Sequence, residues 1–125
     1  VKVLCGTDVL EIERMRKAVV RSPALVERIF CPLEISYADA HKDPIPYLAA
    51  RFCAKEAVMK LLGSGIGVIS FREVEVVRTP SRRPKVELSG RAAIVAEELG
   101  VTSIDLSISH SHSVAVATAV AMVQG

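Results

Sequence analysis

The order of elements along the chain predicts an α+β fold. A strand comes first, three or four helices follow, and then come a hairpin, one more helix and two closing strands. Helices and strands are therefore largely segregated, whereas a parallel α/β sheet would alternate them. Two stretches strengthen the prediction. The segment from Pro46 to about Gly63 is apolar nearly all round, as a buried helix is. The run Val114 to Val123 is small, apolar and β-branched, as a buried strand is. At 125 residues the chain has the length of one domain, residues 1–125, with a modest core.

Val1 to Cys5 reads as a short strand leading into Gly6-Thr7-Asp8. A helix is expected from roughly Leu10 to Val20, with Asp8 and Glu11 spaced as a capping box. Ile12, Met15 and Val19 form its apolar stripe, and Arg14, Lys17 and Arg21 line another face. Ser22-Pro23 reads as the start of a second helix, to about Phe30. Cys31-Pro32 opens a third, ending near His41. Lys42 to Pro46 is a breaker, after which the long helix begins. Gly63, Gly65 and Gly67 form its exit, with Ser64 between two of them. No Lys-Ser or Lys-Thr follows these glycines, and they end a helix, so they are not a Walker loop. Phe71 to Arg78 reads as a strand, residues 79–84 as a turn and Lys85 to Leu88 as the paired strand. Ser89 and Gly100 bracket a helix of about ten residues. Ile104, Leu106 and Ile108 then alternate with polar residues in a half-buried strand.

Half of the residues are apolar, yet only five are Phe or Tyr. So much aliphatic surface on a small chain points to a subunit interface. A net charge of +2 does not favour a general nucleic-acid role. The three cysteines have neither metal spacing nor a disulfide framework, which fits a reducing cytoplasm. The apolar runs are too short to span a bilayer, and no signal peptide is evident.

On the long helix, a turn of about 100° per residue brings Glu56 and Lys60 to one face among apolar neighbours. A solvated i,i+4 pair is the plain alternative. In an interior or cleft, a carboxylate beside an amine suits a hard cation and phosphate oxygens. Asp8 is either a helix cap or a second metal ligand. His110, at a strand end, is open to roles as ligand, base, phosphate donor or structural residue. His112 reads as an exposed loop residue and His41 as a helix-end cap. Arg82, Arg83 and Lys85 read as a basic turn.

Three blocks resemble the holo-acyl-carrier-protein synthase family, the short 4′-phosphopantetheinyl transferases. Gly6-Thr7-Asp8 with Glu13-Arg14 is similar to its N-terminal motif. Arg51-Phe52-x-x-Lys55-Glu56-Ala57 with Lys60 and residues 61–65 is similar to its central motif. Ser107-Ile108-Ser109-His110 is similar to its C-terminal one. Their order and spacing extend the resemblance over essentially the full length.

The resemblance implies the family's fold, an antiparallel sheet packed against a long central helix and shorter helices. It also implies Mg²⁺-dependent transfer of 4′-phosphopantetheine from coenzyme A to a serine of apo acyl carrier protein, releasing 3′,5′-ADP. Asp8 and Glu56 would hold Mg²⁺, and Lys60 would meet the phosphates. Arg51 and His110 would contact the nucleotide end, and Gly63, Ser64 and Gly65 would lend backbone N–H groups. Arg14 and Arg21 match positions that dock an acidic helix of the carrier protein. The family is a homotrimer with sites shared between neighbours. Glu56 or a metal-bound water is the candidate base. The family's hairpin turn has Gly-Lys-Pro, and this chain departs from it with Arg82-Arg83-Pro84. Asp43 stands where some relatives carry a basic residue, and Lys42 is a candidate substitute. Two rival readings stand beside it: a Mg²⁺-dependent nucleotide or pyrophosphate hydrolase using the same Asp8, Glu56 and Lys60, and a non-catalytic trimeric module that holds coenzyme A or docks carrier proteins.

Overall fold

The structure, a computed structural model, describes residues 2–63 and 68–124. The first strand, β1, is Lys2–Glu11, followed by helices α1 (Ile12–Arg21), α2 (Leu25–Ile29), α3 (Pro32–Asp39) and α4 (Ile45–Leu62). A 3₁₀ turn at Phe71–Glu73 leads into β2 (Val74–Arg78) and β3 (Pro84–Leu88). Helix α5 is Gly90–Leu99, and strands β4 (Val101–His110) and β5 (Val114–Val123) close the chain. The expected α+β class holds. β5 lies between β1 and β4 in an antiparallel sheet, and β2 pairs with β3 in a separate ribbon.

Helix α4 is the core. Thirteen of its eighteen residues are buried, which accounts for the segment being apolar nearly all round. It lies close against the sheet because the facing residues are small. Ala115, Ala117, Ala119 and Ala121 of β5 are all buried. On β1, a Cβ at Gly6 would come within 2.0 Å of the Ala57 carbonyl oxygen of α4, so only glycine allows this approach. The helix ends at Gly63, whose φ of 72° is left-handed, as a C-terminal glycine allows.

Inside, Lys55 and Glu34 form an ion pair at 2.8 Å with both side chains fully buried. The Lys55 ammonium also donates to the Phe71 and Val74 carbonyls, while the Glu34 carboxylate accepts the Cys31 and Val76 N–H groups. Each ion is thus hydrogen-bonded on several sides, the condition for tolerating buried charge.

Several local expectations are corrected. Asp8 does not cap α1: β1 runs past it to Glu11, because Val9 and Leu10 pair with Val116 and Ala115. Cross-strand pairing outweighs the local capping signal there. Ser22 closes α1 instead of opening α2. Ser89 makes no side-chain cap on α5, where the Glu73 carboxylate takes the Arg91 N–H. Strand β5 is buried on one face only. Val116 and Val120 are each 39% exposed and Met122 is 60% exposed on the other.

Candidate active site

Asp8 sits in β1 opposite Ala117, on the face turned toward α4. The close approach at Gly6 brings this part of the strand against the helix. There the Lys60 ammonium, one turn after Glu56, donates to Asp8 Oδ1 at 3.2 Å and to the Thr7 carbonyl at 2.9 Å. Burial and then the Asp8 charge push the Glu56 carboxyl above its ordinary value, with Lys60 opposing. A carboxyl whose ionisation is made costlier by a carboxylate beside it is a ready seat for a cation. Burial and the Asp8 charge also push the neighbouring Cys53 thiol up to about 12, so it is an inert apolar group.

The expected interior setting is refined. Glu56 is half-buried and Lys60 exposed, so the pair reaches the surface, and the lysine of the interior is Lys55. Its partner Glu34 comes from α3, and no spacing in the sequence links the two.

Further along the helix, a cleft of about 250 Å³ includes Tyr37, Tyr47, Arg51, Arg78, Arg82 and His110 in its lining. Arg51 is only 6% exposed, and its guanidinium lies 4.0 Å from the Tyr37 ring centre. Arg78 lies over the same ring at 4.8 Å. The buried Arg51 Nε has no hydrogen-bond partner among the described residues. Burial, and to a lesser degree Arg78, lower the Arg51 pKa, while Tyr37 and Glu34 act the other way. The His110 ring meets Tyr47 edge-on, and Tyr47 stacks on His41 at 3.5 Å. His41 Nδ1 is 2.9 Å from the Tyr37 carbonyl, close to the helix-end role expected of it.

Arg51 and His110 are thus brought to one cleft, and Asp8, Glu56 and Lys60 to another place along the same helix. Arg51 precedes Glu56 by about 7.5 Å of helix axis. Arg14 and Arg21 are exposed on α1. Lys42 is exposed and is not part of the Arg51 cleft lining. Asp43 is held by Arg16 through two hydrogen bonds and accepts the Ile45 N–H at the start of α4. Gly63 ends α4, while Ser64 and Gly65 lie outside the described residues. Tyr37 and Arg78 were not singled out by the sequence. Tyr37 is in a short helix without periodic signal, and Arg78 reads as the basic end of a strand. Among the described residues no group of three or more His, Cys, Asp or Glu is placed to hold a metal, so the acid pair would need substrate or water oxygens to complete a shell.

A sequence profile of the 4′-phosphopantetheinyl transferase superfamily matches residues 4–119, which makes the protein a transferase. The chain belongs to that superfamily. It is 47% identical over 104 residues to the holo-[acyl-carrier-protein] synthase of Moorella thermoacetica, covering 83% of this chain and 81% of that protein. It is 45% identical over 120 residues to that of Chlamydia felis, covering 94% and 95%. Among solved structures, the holo-[acyl-carrier-protein] synthase of Helicobacter pylori in complex with coenzyme A superposes with a TM-score of 0.83 at 31% identity, covering 95% of this chain and all (100%) of that one.

Proposed function

We propose that this chain, as one domain over residues 1–125, is a holo-acyl-carrier-protein synthase. The pairing of Asp8 on β1 with Glu56 on α4, with Lys60 bonded between strand and helix, is the observation that carries the proposal. The substrates are coenzyme A and an apo carrier protein of fatty-acid or polyketide synthesis. The serine oxygen attacks the β-phosphorus of the coenzyme A pyrophosphate, the bond to the bridging oxygen breaks, and 3′,5′-ADP departs. Glu56, with its raised pKa, takes the serine proton.

The acid pair fits Mg²⁺, because a hard divalent cation relieves the mutual repulsion that Glu56 registers. When bound there by Asp8 and Glu56, Mg²⁺ supplies neutralisation of pyrophosphate charge. Lys60 gives an ammonium to the same oxygens, whereas the Gly63 N–H expected to assist is taken by the Lys60 carbonyl at 3.0 Å. Arg51 and His110 hold the 3′-phosphate of the nucleotide. The exposed Arg14 and Arg21 of α1 dock an acidic carrier-protein helix by charge complementarity.

The chain works as a cytoplasmic homotrimer. The outward sheet face supports this assembly, with Val3 and Val9 at 58% and 64% exposure beside the outward residues of β5. A cleft of about 520 Å³ opens on that same face, lined by Arg82, Arg83, Asp105, Ser107, Thr118 and Val120 among others. A second copy seated on the sheet would wall it, which is what a site shared between subunits requires. Among the described residues no helix is long and apolar enough to cross a membrane.

Intact mass spectrometry of an apo carrier protein incubated with coenzyme A and this protein tests the reading. Mg²⁺ should produce a gain of one phosphopantetheine, and Asp8→Ala or Glu56→Ala should abolish the gain while the fold persists. Full-rate transfer by both variants would overturn the acid-pair assignment. Nucleotide cleavage without a carrier protein would indicate a hydrolase. Coenzyme A binding that survives Glu56→Gln, with no product from either form, would indicate a binding module.

A further inference from the structure

Arg82 is the only non-glycine residue with a positive φ among the described residues, at 67°. Side chains crowd the backbone in that region, and glycine enters it freely. The turn enforces the conformation. The Arg82 N–H donates to the Thr79 carbonyl at 2.9 Å, and the Thr79 hydroxyl reaches the Arg83 carbonyl at 2.9 Å. A long cationic side chain therefore stands where the fold alone would favour none. Strain of this kind is associated with function when a ligand site lies beside it.

Such a site lies beside it. Arg82 lines the cleft that also holds Arg51, Arg78 and His110, and none of the described residues lining that cleft is acidic. Arg51 is buried there with its Nε unpartnered among the described residues, and Arg78 crowds the same tyrosine ring. Guanidinium groups gathered without a counter-charge call for a ligand with more than one negative charge. A phosphate monoester, dianionic and able to accept paired N–H donors, meets that need. A phosphodiester or a hydroxyl does not.

We infer that Arg82 is a specificity-determining residue, whose guanidinium joins Arg51 and Arg78 in reading the terminal phosphate monoester on the nucleotide's ribose. The inference rests on the nucleotide-end assignment above and adds to it the residue that the turn is strained to present. Arg82 thereby discriminates against nucleotides that lack the 3′-phosphate.

Calorimetric titration with 3′,5′-ADP and with 5′-AMP tests this without requiring turnover. Arg82→Gly and Arg82→Ala should each weaken 3′,5′-ADP binding by about tenfold, equivalent to ~1.4 kcal/mol, and leave 5′-AMP binding unchanged. Thermal melting should separate the strain from the charge. Arg82→Gly should melt at the same or a higher temperature than the parent, and Arg82→Ala should show no such gain. The preference for coenzyme A over 3′-dephospho-coenzyme A in the transfer assay should fall in parallel. Unchanged discrimination between 3′,5′-ADP and 5′-AMP in both variants would overturn the inference, as would an equal loss for both nucleotides. If 3′,5′-ADP discrimination is lost in the variants but the parent transfers nothing to a carrier protein, the role of Arg82 stands and the transferase reading fails.

Discussion

Burial and the nearby Asp8 carboxylate make the Glu56 proton harder to remove than that of an ordinary glutamate. The folded protein therefore keeps this proton at a pH where the unfolded chain has already lost it. As pH rises through that interval the folded state loses relative stability, and above the raised pKa the deficit is complete. Glu56→Gln should accordingly leave the protein as stable or more stable at neutral pH in a thermal melt. It should also lower the transfer rate by about 10²–10⁴-fold, the usual contribution of a positioned base. In the metal-free parent, an NMR titration should find the Glu56 carboxyl above the ordinary carboxylate range, and that titration should be absent from the variant. Asp8, Glu56, Arg51 and His110 were legible as candidates because each stands in a short motif of distinctive residue types. Tyr37 and Arg78 were not, because their importance comes from stacking on one another across separate elements.

The helix α4 was legible almost to the residue, since Pro46 and Gly63 bound it and its apolar run leaves no polar stripe. The identity of its buried ion was not. Glu56 and Lys60 share a helical spacing that draws notice, whereas Lys55 finds Glu34 only through the packing of α3 against α4. Lys55→Ala strands the Glu34 carboxylate in the core and should cost about 3–5 kcal/mol of stability in denaturant unfolding. The double variant Lys55→Met with Glu34→Gln removes both charges and should recover much of that loss. Local signals failed at strand and helix ends for a common reason. Asp8 carries the spacing of a cap, yet pairing of Val9 and Leu10 with β5 carries β1 through it.

Across the whole molecule, composition announced an aliphatic surplus, and register was needed to place it. Residues at odd positions of β1 and even positions of β5 share the outward face, with Val3 opposite Met122, Cys5 opposite Val120 and Val9 opposite Val116. Val120 is central, with Cys5 on one side and Asp105 on the other. Val120→Asp would add a charge beside Asp105 on the face proposed as the subunit interface. Sedimentation at micromolar concentration should then find mostly monomer, while circular dichroism stays that of the folded parent. Retention of a full trimer would remove this face from the assembly.

The middle strand, β5, has one further consequence. Its alanines set how closely the long helix can approach, and its valines and methionine set what can rest on the outside. Drift in this strand would be throttled twice over, by bulk at one parity and by polarity at the other. A pooled library of β5 variants should therefore be depleted in a two-beat rhythm, with any methyl group added at Ala117 as damaging to the enzyme as a carboxylate introduced next door.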